Sequence, residues 1–431
     1  MNMKEKFKLT ALEKYWVLYD IGNSAFILLA TALFPIYFGS LTDAAGVSET
    51  NQLAYWGYAG SISTILVAIM APICGAMADR GKLKKPLFLA FMLLGCLGCA
   101  ALGAPAGWLG FLIVYVISKV GFSGSLVFYD SMLPEITTEK RMDMVSSLGY
   151  ALGYIGSIIP FIACLVIVLF YEAIGITQGT AMVIAFILTA VWWLVCSLPL
   201  SRKYKQTAFH EGGDKSILSG FRQLWQTLKD AKKEKHIFLY LVAFFFFIDG
   251  VYTIIDMATA YGSALGLDST GLLLALLVTQ IVAFPFSILF GRLASKYDTG
   301  LLIKVCIGAY TFITVFAIFL ATLWQFWVLA VMVGMFQGGI QAMSRSYLGK
   351  IIPAERSGEY YGLMDICGKG ASFIGTTMVA AVTQMLHGYV LDLGFVQIKN
   401  TGMAVGTLVI LFAIGYVLFN KADKLNKQRQ S

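Results

Sequence analysis

Apolar residues run along nearly the whole chain in blocks separated by short polar breaks. Most blocks reach the roughly 20 residues that a helix needs to cross a bilayer. They fall at 15–39, 55–77, 86–104, 108–131, 146–171, 180–199, 237–260, 271–291, 301–322, 326–348, 360–386 and 402–420. This pattern predicts a chain of twelve membrane-spanning helices. Helices satisfy their own backbone groups in lipid, and no alternating strand pattern points to a barrel. The first block is too long for a cleavable leader and carries Asp20 and Asn23, so it reads as the first span.

The polar breaks carry the orientation. Breaks after the first, third, fifth, seventh and ninth spans contain no Lys or Arg, and the one after the eleventh contains Lys399 alone. The opposite side collects Lys4, Lys6, Lys8 and Lys14, then Arg80, Lys82, Lys84 and Lys85, and the tail adds Lys421, Lys424, Lys427 and Arg429. By the positive-inside rule both termini are expected in the cytoplasm of a multi-pass plasma-membrane protein. The long polar stretch at 201–236 divides the chain into an N-terminal six-helix bundle (1–200) and a C-terminal one (237–431). Within it Ile217, Leu218, Phe221, Leu224, Trp225 and Leu228 recur at helical spacing between basic residues. That is an amphipathic helix resting on lipid, preferred here over a calmodulin-type target helix.

Composition narrows the class. The chain is 58% hydrophobic and 13% charged, where a soluble protein is nearer one quarter charged. The net charge of +8 punctuates apolar runs and makes no basic stripe, so no nucleic-acid partner is expected. The seven cysteines, Cys74 to Cys367, lie inside apolar runs, and the three histidines lie in loops or at segment ends. That arrangement supports neither a metal site nor a disulfide framework, and no cofactor is expected. No HExxH, GxSxG or nucleotide-binding loop is present; GKGAS at 368–372 lacks the preceding strand and upstream glycine of a phosphate loop, so no enzyme is predicted.

The two halves repeat. YDIGNSAF (19–26) answers IDGVYTII (248–255), and GAMADR (75–80) answers GRLASK (291–296). Pro134, Gly149 and Gly156 recur at one common interval as Pro353, Gly368 and Gly375. A repeat of six helices keeps both halves in the same orientation, giving an all-α membrane protein of two parallel six-helix repeats. That is the architecture of the major facilitator superfamily. GAMADRGKLKKP (75–86) resembles its signature loop, although Gly81 follows Arg80 directly. WVLYDIGNSAF (16–26), SLVFYDSMLPEI (125–136), GYALGYIG (149–156), FIDGVYTII (247–255), QGGIQAMSRS (337–346) and DICGKGASFIG (365–375) are similar to one branch of it. This is the "unknown major facilitator" family, which includes the autophagy-related vacuolar amino-acid effluxers of fungi. The resemblance implies twelve helices and export of small solutes, amino acids in the fungal members.

Ionisable groups inside a span are costly and are candidates for function by default. Lys119, Asp249 and Lys369 each lie about ten residues into a span, roughly 15 Å deep. Such a trio can bind a zwitterion or organic anion, or persist as a structural ion pair. Asp20 matches Asp249 in the repeat, and each has a glycine close behind it (Gly22, Gly250); Asn23 adds hydrogen-bonding capacity. A carboxylate in a low-dielectric site gains proton affinity, so Asp20 or Asp249 can couple protons to solute, or bond helices together. Asp365 and Lys369 are four apart on one helix face, acid first, as a local pair requires. The resemblance assigns Asp79, Arg80 and Asp130 to a gate: Asp79 faces the start of the eleventh span, and Arg80 reaches Asp130. Arg345, with Lys296, is the candidate counterpart in the second half; interfacial anchoring is the alternative.

The sequence is therefore read as a secondary transporter. It is expected to move a small polar solute, an amino acid first and by efflux, as a monomer in lipid with protons as candidate coupling ion. The alternatives are a non-transporting receptor or chaperone on the same scaffold, and an exporter of another organic solute or drug.

Overall fold

A computed structural model of the chain describes residues 8–105, 107–209, 234–386, 388–392 and 397–430. Twelve long helices occupy them. In the first half these are α1 (Ala11–Ala44), α2 (Glu49–Ala78), α3 (Lys84–Ala101), α4 (Trp108–Ser131), α5 (Glu139–Leu169) and α6 (Gln178–Lys203). In the second half they are α7 (Lys235–Ala264), α8 (Ser269–Leu293), α9 (Thr299–Ile318), α10 (Leu323–Ile351), α11 (Ser357–Met385) and α12 (Leu408–Gln430). Short helical turns at Leu133–Ile136, Tyr171–Ile174, Ala354–Arg356 and Asn400–Gly406 sit in the connections. Among the described residues, eleven helices are long and apolar enough to cross a membrane. The remaining one, α11, has 29 residues, about 43 Å of helix, and carries Glu359, Asp365 and Lys369 in its first half. The expected amphipathic segment, with His210, falls outside the described residues, as does His387.

Every predicted span coincides with a helix, and most helices start earlier than the apolar run. The reason is capping: the first amide groups of a helix need acceptors, and polar residues just outside the apolar run supply them. Thr10 and Glu13 form a reciprocal capping box at the start of α1, with Oε2 of Glu13 accepting from the Thr10 amide at 2.7 Å. Asp268 accepts from the Gly271 amide at 2.7 Å, and Asp298 from that of Leu301 at 3.2 Å. At the other end, α12 runs well past its predicted limit of 420 because charge pairs sustain it. Asp423 and Lys427, one turn apart, bond at 3.0 Å, and Lys304 of α9 reaches Asp423 at 2.6 Å. Hydropathy gave no hint of the antiparallel strand pair Val390–Asp392 and Gln397–Lys399 between α11 and α12.

The chain divides into two compact units. The first holds α1–α4, α5 from Leu148, α6 and the segment Pro353–Gly362. In it α3 packs on α4, α1 on α6, α2 on α4 and α3 on α6. The second holds Glu139–Ser147, α7–α10, α11 from Leu363 and α12. There α9 packs on α10, α7 on α12, α8 on α10 and α9 on α12. The scheme is the same with every helix advanced by six places, as parallel repeats require.

Aromatic rings fill each core. In the first unit Phe26 stacks with Phe122 at 5.0 Å and meets Trp193 at 5.7 Å, joining α1, α4 and α6. In the second, Tyr347 meets Tyr240 at 5.0 Å and Phe419 at 5.3 Å, joining α10, α7 and α12. Where backbones approach more closely, glycine is required: a Cβ on Gly121 of α4 would run into the backbone of Gly95 on α3. The outward faces are apolar. Ile62, Ile65 and Ile69 of α2 recur at helical spacing, each more than half exposed, which suits lipid and not water.

Candidate functional site

In the first unit Asp20 lies buried in the third turn of α1, where the Tyr129 hydroxyl of α4 donates to its Oδ2 at 3.0 Å. Tyr129 is fixed in turn by Trp16, whose ring stacks on it at 4.3 Å and whose Nε1 donates to the Tyr129 carbonyl at 2.9 Å. The Tyr19 hydroxyl donates to Ser125 at 2.7 Å. Three residues of α1 thus bind α4 through side-chain polar groups. Asn23 is buried one turn beyond Asp20, and its Nδ2 has no partner among the described residues. A buried donor left without an acceptor costs about 1–3 kcal/mol. Gly153 and Gly156 of α5 let that helix close on the same turns of α1, against Ser24 and Ile21. Lys119, half-buried on α4, places its Nζ 5.7 Å from the Tyr115 ring and beside Gly60 of α2.

In the second unit Asp249 is completely buried on α7. Its carboxylate accepts from the Gly375 amide of α11 through both oxygens, at 2.9 and 3.0 Å, and from the Thr253 hydroxyl at 3.3 Å. A Cβ at Gly375 would collide with Thr253 and sit 2.7 Å from Oδ1 of Asp249, so only glycine permits this contact. Asp365 stands half-buried on α11. The Lys369 side chain falls outside the described residues.

Asp79 caps the end of α2 and is fully buried. It accepts from the Gly358 and Glu359 amides, both at 2.9 Å, at the N-terminal end of α11. Unpaired amides and the positive end of the helix dipole are a natural seat for an anion. Gly75 and Gly358 touch backbone to backbone, and neither tolerates a Cβ. Burial pushes the Asp79 carboxyl up to about 7, against the opposing pull of Lys84 and the two amides. Lys84, itself fully buried, reaches Glu135 at 2.6 Å, Ser357 at 2.8 Å and Asp79 at 3.7 Å. Glu135 also accepts from the Tyr204 hydroxyl at 2.9 Å and the Thr207 amide at 2.7 Å, so the segment after α6 is tied to the same point. Burial and the adjacent Glu135 both hold the Tyr204 hydroxyl well above its usual pKa. Arg80 and Asp130 are half-buried at the ends of α2 and α4.

A second cluster stands in the second unit. Arg345 of α10 is buried; its Nε donates to Ser146 Oγ at 3.0 Å and its Nη2 to the Ser146 carbonyl at 2.9 Å. Asp143, three residues earlier on α5, accepts from Ser346, Lys350 and Thr299. Lys296 is exposed on the turn after α8, and Lys350 is the cation that reaches the acid. Sequence reading assigned Lys84 only an orientation role and none to Glu135, Asp143 or Lys350 individually. The available signal was a charge at the edge of an apolar run, which gives orientation but names no partner.

A family model described as vacuole effluxer Atg22 like matches residues 12–413. The chain belongs to the Atg22-like effluxer family. This Atg22-like chain is 41% identical over 416 residues to the MFS-type transporter YxiO of Bacillus subtilis (strain 168), covering 95% of the chain and 94% of YxiO. It is 23% identical to autophagy-related protein 22 of Coccidioides immitis (strain RS), over 78% of the chain and 68% of the relative. Among solved structures it matches a bacterial homologue of the iron transporter ferroportin in an outward-facing state, with TM-score 0.69, 11% identity and coverage of 98% and 100%. It also matches the major-facilitator transporter FucP in the outward conformation, with TM-score 0.69, 14% identity and coverage of 96% and 97%. At these identities the structures speak for the fold alone. The Atg22-like chain is thus an MFS-type transporter, an integral multi-pass membrane protein with the major-facilitator fold, and its relatives are transporters.

Proposed function

We propose that this chain exports a small polar solute, an amino acid first, across the plasma membrane by alternating access, with protons as the coupling ion. One observation supports this above the rest: each unit buries a carboxylate deep in a spanning helix, at repeat-related positions, where an ionised group is costly. Asp20 lies one turn from the unsatisfied amide of Asn23, an acceptor and a donor suited to the two ends of a zwitterion. Lys119 adds a cation for the solute carboxylate. Membership of a family described as effluxers supports the direction. The chain works as a monomer with both termini in the cytoplasm, from the Lys and Arg asymmetry. The six-helix bundles at 1–200 and 237–431, joined by 201–236, are its moving parts. Asp79 seated on the start of α11, with Arg80 and Asp130, is one gate, and Arg345 with Asp143 is its counterpart.

The test is flux from proteoliposomes holding the purified full chain, loaded with single amino acids or short peptides, with and without a pH gradient. Flux of at least one amino acid is expected, reduced about tenfold or more, over 1.4 kcal/mol of barrier, in Lys119→Ala and Asp249→Asn. Correct insertion is checked by size-exclusion profile. Undiminished flux in both variants sinks the site, and flux confined to other organic solutes sinks the amino-acid assignment.

A further inference from the structure

The contact between Asp249 and α11 has an unusual donor. Gly375 lies well inside α11, where a helix directs each amide at the carbonyl four residues earlier, here that of residue 371. An amide has one proton to give, and both Asp249 oxygens claim this one, at 2.9 and 3.0 Å. The helical bond at this turn is therefore shared or surrendered. Side chains or waters that enter the ladder in this way are a recognised cause of local opening in helices.

Among the described residues, the groups around the carboxylate are neutral. Thr253 on its own helix donates at 3.3 Å, and α12 presents the ring of Phe412 beside Gly250. Three cations on the neighbouring helices have partners elsewhere: Arg345 meets Ser146, Lys350 meets Asp143 and Lys304 meets Asp423. Asp365 on α11 lies almost three turns before Gly375, and Arg292 lies in the last turn of α8. Among the described residues no basic side chain contacts Asp249. Its ionised form is held by one backbone amide and one hydroxyl.

We propose that Asp249 and the Gly375 amide form a proton-operated latch within α11. Ionised Asp249 holds the amide away from the helix ladder. When its carboxylate takes up a proton, the negative charge that drew the amide is gone, and Gly375 returns its hydrogen bond to the carbonyl of residue 371. No bond other than O–H forms, and the proton comes from and returns to water. The latch makes the geometry of α11, around the Asp365–Lys369 turn, depend on proton occupancy of α7. It deepens the proton-coupling reading given above and rests on it.

The test reads the amide itself, independently of transport. In the full chain in lipid nanodiscs, carbonyl-13C isoleucine combined with 15N glycine reports only glycines that follow isoleucine. There are six in the chain: Gly22, Gly156, Gly175, Gly308, Gly375 and Gly415. Gly156, the repeat counterpart of Gly375, is a built-in control. Between about pH 4 and about pH 9, one of the six amide resonances is expected to titrate by several tenths of a ppm in 1H, and to stay fixed in Asp249→Asn. Thr253→Ala, which keeps the carboxylate and the amide, should retain the titration and so guards against a misfolded Asn variant. The proposal fails if no amide titrates, or if the same one moves equally in Asp249→Asn. Loss of flux with the titration intact would count against the transport reading and leave the latch standing.

Discussion

Asp20 and Asp249 are counterparts in the repeat, on α1 and α7, yet the first meets the Tyr129 hydroxyl, and the second meets a backbone amide as well as the Thr253 hydroxyl. Tyr129 donates a hydroxyl to Asp20 across a contact braced by Trp16. Asp249 instead accepts from a backbone amide in the interior of α11. A hydroxyl can turn about its C–O bond when its acceptor is neutralised. An amide that loses its acceptor must find another along its own helix. The same fold, copied twice, thus presents one buried carboxylate to a side-chain hydroxyl of a neighbouring helix and the other to a helix backbone. The clusters at the helix ends differ in a parallel way: Asp79 sits on amides of α11, whereas Asp143 is met by side chains of α9 and α10.

The largest effect should come from the first end cluster. Lys84 and Glu135 are both buried, and removing one member of a buried pair leaves the other uncompensated, at about 3–5 kcal/mol. Lys84→Ala should therefore lower the thermal midpoint of the purified chain far more than Lys350→Ala, because Lys350 is partly exposed and its loss is eased by water. Equal shifts would show that the clusters are energetically alike and that the contrast between them is empty.

Next comes the glycine pair. Gly375→Ala inserts a Cβ between Thr253 and Asp249 and should abolish pH-driven flux while the chain still inserts. Gly156→Ala presses on the β-branched stem of Ile21, with Cγ2 at 2.6 Å, but touches no carboxylate, so it should lower stability and leave the pH response of flux in place. A reversed order would place the sensitive contact in the first unit.

The pH dependence of Asp79 is a smaller, signed effect. Its carboxyl sits at about 7, above the ordinary value near 3.9, so the folded chain binds the proton more tightly than the unfolded one. Stability from this group is full at acid pH and is lost as pH rises from about 4 to about 7. The difference in melting temperature between wild type and Asp79→Asn, followed across that window, should drift against the wild type as pH increases. A flat difference contradicts the assignment. Smallest of all, Tyr129→Phe removes one hydroxyl from Asp20 and should cost about 1 kcal/mol, with flux largely kept.

The hydropathy blocks carried most of the fold, because a spanning helix must be apolar over its whole length and so writes itself into a single window of sequence. The repeat was legible for a related reason: Gly156 and Gly375 answer the same packing demand on α1 and α7. The partners were not legible. Asp79 meets Gly358 and Glu359 some 280 residues away, and nothing in either segment alone names the other. Lys84 was counted among the orientation charges, yet it is fully buried in a polar cluster. The Gly375 amide could not be found by reading side chains at all, since the donor is a backbone group common to every residue but proline.

The central claim is tested most directly by amino-acid flux in proteoliposomes containing either wild type or Asp249→Asn, each measured with and without an imposed pH gradient. Wild-type flux should rise with the gradient, and Asp249→Asn flux should be slow and indifferent to it. A variant that answers the gradient as fully as the wild type would contradict the account.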